Sequence, residues 1–321
     1  MNLDIAPVTG LNGVSHRSFV ILNSKIFLFL LCFTAGAAFS EESPVKDETF
    51  VFNLTRDVPY VAQKLDQSAR LRTLDIYSPL SPDEVAEETE LLPIILYVHG
   101  GGWAFGDKSD VNVKPHYFTA QGFGFVSMNY RLRWDYKVYD QVVDLVTAMG
   151  WLGRKAHEWG LDGRRIVLMG HASGGHLAIL VTADSSYLEA DFMDSSRIKA
   201  VVSIDSSSYD IRRLMRELGS FVECRQYELI FTADESVWDA ASPITHVPSS
   251  TTLPPHALLY NPERQVSELQ AKGFAKALTE AGVEVVMIPG SDSAPDRTDE
   301  LIGVSGNLAT VALIAFIRSQ I

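Results

Sequence analysis

The sequence predicts an α/β protein with a mostly parallel central sheet covered by helices on both faces. Three observations carry this. Strand-like apolar runs alternate with helical-period segments from residue 92 to the C-terminus. Several runs are apolar at consecutive positions rather than alternating, as strands buried on both faces require. Two of the runs end in glycine-rich turns, at 99–103 and 170–175, and the carboxyl ends of strands are where an open sheet of this kind forms its ligand crevice.

Each element follows in order. "TFVFNLTRDVPYV" (49–61) and "ARLRTLDIYSPL" (69–80) alternate apolar and polar residues and read as an opening antiparallel pair. Acidic "SPDEVAEETE" (81–90) reads as a solvated loop. "LPIILYVHGGGW" (92–103) is a buried strand ending in glycines, and "FGFVSMNYRL" (123–132) is another. Between Tyr139 and Trp159 the apolar residues Val142, Val143, Leu145, Val146, Met149, Trp151 and Leu152 recur at helical spacing. "RIVLMG" (165–170) reads as a strand running into the helix "GGHLAILVTA" (174–183), and "IKAVVSIDSSS" (198–208) as a further strand. "HALLYN" (256–261) and "VEVVMIPG" (283–290) are strands separated by the helix "SELQAKGFAKALTEAG". A last helix, "NLATVALIAFIRSQI", reaches the C-terminus. Residues 205–243 show no clean period and read as a cap or flap over the crevice, within a single domain spanning 41–321.

The composition sets limits on function. With 46% apolar and 21% charged residues the 321-residue chain is ordinary for a globular protein. A net charge of −13 disfavours a nucleic-acid partner. No His/Cys/Asp/Glu cluster has metal-ligand spacing, and no cofactor is expected. "IFLFLLCFTAGAAFS" (26–40) is uncharged, shorter than a comfortable span of about 20 residues, and closes in small residues. It is expected to be a signal peptide cleaved near Ser40, placing the protein outside the cell or in the secretory lumen. Its rival is an uncleaved membrane anchor. Asn53 opens an "NLT" glycosylation acceptor. Cys32 would leave with the leader, so Cys224 is expected to be an unpaired buried thiol.

The chemistry lies in the two glycine turns. In "HGGGW" (99–103), Gly101 and Gly102 let backbone N–H groups approach a ligand closely. Two such donors would stabilise a developing oxyanion. In "GHASGG" (170–175), Gly170 and Gly174 permit the tight strand–helix turn of a nucleophile elbow, and the N–H of Ser173 would complete the oxyanion hole. At the centre of that turn stands Ala172, and the serine comes one place later. One residue along a helix turns a side chain by roughly 100°, so the Ser173 hydroxyl is expected to point away from the crevice and to serve a helix-start hydrogen bond.

Together with "RDVPY", "LDIYSP", "YVHGGGWAFGDKSD", "VSMNYRL", "YDQVVDLVTAMGWL", "SIDSSSYDI" and "VWDAASPITHV", these turns make the chain resemble the α/β-hydrolase superfamily. The nearest group is the small esterases and arylformamidases related to hormone-sensitive lipase. The resemblance runs from about Arg56 to the C-terminus. It implies the α/β-hydrolase fold and a triad of serine, acidic residue and histidine in that chain order. Carried over position by position, the serine falls on Ala172. The acid falls on Glu263, with Arg264 the occupant if the register slips by one. The histidine falls on Ser293, and no histidine follows His256. The expectation is therefore a pseudoenzyme that keeps its crevice to bind a small carboxyl or acyl ligand, or a protein partner. Its competitors are an active carboxylesterase or arylformamidase built around Ser173, and a decayed relative with no crevice function.

Overall fold

The computed structural model describes residues 52–62, 67–133, 135–191, 193–217, 221–247, 253–290 and 297–321. The expected leader, Ser293 and the Cys224 side chain lie outside the described residues. In chain order the elements are β1 (Asn53–Pro59), β2 (Thr73–Ser78), β3 (Leu92–Val98), α1 (Lys114–Ala120), β4 (Gly124–Met128), α2 (Val138–Lys155), β5 (Leu161–His171), α3 (Ser173–Ala183), α4 (Ser186–Ala190), β6 (Ile198–Ile204), α5 (Ile211–Glu217), α6 (Phe221–Phe231), α7 (Glu235–Ala241), α8 (Pro243–His246), β7 (His256–Tyr260), α9 (Gln265–Glu280), β8 (Val285–Pro289), α10 (Thr298–Leu301) and α11 (Leu308–Arg318).

The eight strands form one sheet in the order β1-β2-β4-β3-β5-β6-β7-β8. β1 and β2 are the expected antiparallel pair, β2 runs antiparallel to β4, and every later pairing is parallel. The mostly parallel sheet is what the element order predicts, and the architecture is the α/β-hydrolase fold that the resemblance implies. Successive side chains of a strand point to opposite faces, and the consecutive apolar runs exploit this. Ile94, Leu96 and Val98 of β3 join the core beneath α2, α3 and α9, with Val142, Leu145, Leu177 and Phe274. Ile95 and Tyr97 face the other way, into a core with Phe118 of α1 and Leu313, Phe316 and Ile317 of α11. Each such side chain, fully removed from water, contributes about 1.5–3 kcal/mol.

Three departures from the sequence reading have physical causes. α1 carries no apolar period readable over seven residues, so only Pro115 near its start signalled a helix. β5 begins at Leu161 rather than Arg165, because Leu161 and Asp162 pair with β3 ahead of an irregularity. There the Asp162 carboxylate accepts from Arg164 and Arg165. The stretch 205–243 is not irregular: it contains α5, α6 and α7. Their mixed apolar and charged faces mask the period, since one side packs on the sheet domain and the other meets water. Asn53 is exposed on β1, its side-chain amide donating to the Pro79 carbonyl at 3.3 Å.

Candidate active site

The two glycine turns meet at the carboxyl edge of the sheet, as the sequence predicts. A side chain on Gly174 would collide with the carbonyls of Val98 and His99, so only glycine lets α3 slide under the β3 turn. Gly101 adopts φ +125°, and a Cβ there would strike the Phe105 carbonyl. The turn closes on itself through bonds from the N–H groups of Ala104 and Phe105 to the Gly101 carbonyl, at 3.2 and 3.0 Å. The N–H groups of Gly101, Gly102 and Ser173 donate to no carbonyl among the described residues. They remain available to a ligand.

Ala172 occupies the elbow itself, at φ 47° and ψ −112°. A non-glycine residue at positive φ is strained. The turn is pinned by the Ala172 N–H, which donates to Ile204 O at 2.8 Å, and by His176 N–H donating to Ala172 O at 3.0 Å. The backbone is that of a nucleophile elbow, and its side chain is a methyl group. Ser173 is buried, as its helical position implies. The expected helix-start bond is absent: Ala172 is the cap, and Ser173 Oγ makes no hydrogen bond. Burial pushes the Tyr130 phenol's pKa up, and the neighbouring Ser173 hydroxyl offsets part of that rise.

The histidines divide clearly. His176 is fully buried, its Nδ1 accepting from Trp103 Nε1 at 3.2 Å and its Nε2 donating to Ala241 O at 2.8 Å. Burial pulls its pKa down to about 4. It is a strut between the oxyanion turn, α3 and α7. His99 stacks on Tyr130 at 4.4 Å and its Nδ1 binds Gly100 O at 2.7 Å, so it shapes the turn; burial lowers its pKa too. His171 is the most open of the three. It lies two residues past Met169 and so points to the same sheet face. There its side chain is 33% exposed, with Nδ1 4.0 Å from Asp299 Oδ2. Asp299 in turn accepts from Tyr97 Oη at 2.9 Å and from the buried Lys114 Nζ at 2.8 Å. Tyr97, His171 and Asp299 border a polar cavity of about 380 Å³ beside Gly100 and Gly101.

The carboxylates also divide. Glu263 follows β7, but it is exposed and its side chain makes no hydrogen bond among the described residues. Besides Asp299, a buried carboxylate at this edge is Asp205, which the sequence reading missed. It ends β6 at φ 49°, accepts from Ser267 Oγ at 2.8 Å and pairs with Arg264 at 3.2 Å. Its signal was an acidic residue directly after an apolar strand. Asn261, the first residue past β7, is buried with its side-chain nitrogen unpartnered.

A second cavity, of about 600 Å³, opens between the oxyanion turn and α6. Gly101, Gly102, Trp103 and Phe105 form one wall, and Tyr227, Leu229 and Ile230 of α6 the other. Trp103 meets Phe231 and Tyr227 edge-on, at 4.9 and 6.1 Å. α6, within the stretch 205–243, thus forms one wall of this cavity.

Residues 74–278 match the BD-FAE family model, well over half of the chain. The chain belongs to the BD-FAE family. It is an esterase-like α/β-hydrolase. Among relatives of known activity, carboxylesterase NlhH of Mycobacterium tuberculosis is 35% identical over 92 residues, covering 28% of each chain. Esterase LipC of the same organism is 27% identical over 224 residues, covering 66% of this chain and 55% of the relative. The chain therefore spans about a quarter to a half of these relatives' lengths. Esterase B of Lactobacillus rhamnosis shares the fold with a TM-score of 0.66 at 19% identity, covering 84% of both chains. Esterase 2 of Thermogutta terrifontis does so with a TM-score of 0.58 at 24% identity, covering 85% of this chain and 91% of its own.

Proposed function

We propose that this BD-FAE protein binds an ester- or carboxyl-class ligand at the carboxyl edge of its sheet without serine-hydrolase catalysis. The observation that carries this reading is Ala172 in the strained elbow position, with Ser173 Oγ buried and without a hydrogen-bond partner among the described residues. A nucleophilic serine needs exposure and a base within hydrogen-bond reach, and Ser173 has neither. In a serine hydrolase, loss of the serine alone costs about 10⁶ in kcat. The free N–H groups of the oxyanion turn and the apolar cavity beside them support binding. The test is a fluorophosphonate probe on the purified protein. No labelling is expected; stoichiometric labelling of Ser173 would overturn the reading.

A second reading is carboxylesterase activity by an unconventional route. The named esterase relatives favour it, and so does the placement of His171 beside Asp299. In that route His171 removes a proton from a water that attacks the acyl carbon, and Asp299 stabilises the imidazolium. The tetrahedral intermediate expels the alkoxide, which takes the proton back. Ester hydrolysis by the parent that disappears in His171→Gln would establish it.

A further inference from the structure

We infer that Arg133 makes the 600 Å³ cavity a receptor for an apolar monocarboxylate, its anionic end on the guanidinium and its body against Trp103, Tyr227 and Ile230. The inference rests on the binding role proposed above and names the chemistry of what is bound.

Arg133 is anchored by the oxyanion turn itself. Its backbone N–H donates to Trp103 O at 2.8 Å, and Gln141 Nε2 donates to the same carbonyl at 2.7 Å. The side chain of Arg133 is half-buried at the cavity wall. Its guanidinium forms no ion pair or hydrogen bond with any described residue. Most described arginines of this chain, which has 40 acidic residues against 27 basic ones, face a carboxylate; Arg154, Arg197 and Arg216 resemble Arg133 in forming no side-chain hydrogen bond or ion pair with a described residue, but they do not line this cavity. The neighbouring Arg131 is clamped by Asp144 at 2.8 Å; Arg56, Arg164, Arg165, Arg212, Arg213, Arg225, Arg264 and Arg297 also face carboxylates. A half-buried cation against apolar walls loses hydration and gains no partner. A ligand carboxylate supplies that partner in the fork geometry guanidinium prefers. Gln226, Tyr227 and Trp103 also bring polar groups to the lining, but none of them carries a charge. The rings of Trp103 and Tyr227, edge-on to one another, suit an aryl or branched alkyl body.

The experiment is calorimetric titration of the folded full chain with 4-phenylbutyrate and with its neutral isostere 4-phenylbutyramide. The acid is expected to bind about tenfold tighter than the amide, as a charge-assisted contact would give. Raising the salt concentration should narrow that gap. Arg133→Gln should weaken the acid about tenfold and leave the amide unchanged, while Arg133→Lys, which keeps the charge, should retain part of the preference. Thermal melts of both variants establish that they fold. Equal binding of acid and amide by the parent overturns the charge inference and leaves the binding role standing. A preference that persists in Arg133→Gln, or no binding of either compound, also overturns it. Hydrolysis of methyl 4-phenylbutyrate by the parent would overturn the non-catalytic reading alone, because the acid-to-amide ratio is measured independently of turnover.

Discussion

At the scale of single residues, Ala172 holds the backbone of a nucleophile elbow with a methyl side chain. A non-glycine residue in this region costs about 1–3 kcal/mol. Here that cost persists in a side chain that can attack nothing. Ala172→Gly should therefore raise the unfolding free energy by about 1 kcal/mol, the relief of strain exceeding the added freedom of the unfolded chain. The urea midpoint should move up with the slope unchanged; a lower midpoint would mean that the methyl group packs favourably. The elbow was legible in the sequence, since Gly170 and Gly174 frame position 172 and α3 follows at once. Ser173 is buried in the structure. Its missing cap bond was not legible, because that depends on what lies beneath the helix. Nor could residue order show that Asp205, and not Glu263, is the carboxylate taken out of water. Both follow strand ends, and only the tertiary packing of Ser267 and Arg264 around one of them decides.

At the scale of elements, α1 and α10 are joined by a buried charge pair over β3. Lys114 is fully buried, and desolvation lowers its pKa against the attraction of Asp299. Asp299→Asn would leave an uncompensated buried cation and should cost about 3 kcal/mol or more. Replacing both partners, as Lys114→Met with Asp299→Leu, should recover most of that loss. Urea unfolding of the two variants checks both statements; an equal loss in the double variant would mean that the pair holds the elements by shape and not by charge. Neither helix stood out in the sequence, as each is too short to show a period. The long elements α2, α9 and α11 were plain because their apolar faces repeat over three or more turns. The cap helices were obscured by their charge.

At the scale of the whole molecule, acid sensitivity follows from two buried histidines near opposite ends of the sheet. Burial pulls the pKa of His176 and of His256 down to about 4. His256 already donates from Nδ1 to Pro254 O at 2.7 Å, and its Nε2 is buried without a partner. The unfolded chain takes up a proton on each near pH 6.5. The folded chain resists until about pH 4. Stability is therefore expected to fall as pH drops from about 6.5 towards 4, with no further loss from these groups below that. Melting temperatures recorded across that window should decline less steeply for His256→Asn. An unchanged slope would assign the acid sensitivity to other groups.

The elbow has a further consequence, in the currency of mutation. Its backbone is held by the Ile204 carbonyl and by the packing of α3, not by the side chain at position 172. Every alanine codon lies one base from a serine codon, so a nucleophile could arrive in a single step and find its geometry ready. Histidine codons lie at least two bases from any serine codon. A serine placed at position 172 alone would still lack a histidine at position 293, where the resemblance puts the base. On the binding reading proposed above, such a change would drift in and out of a population as a silent variant, and the rare second step would set the pace of any gain of hydrolysis.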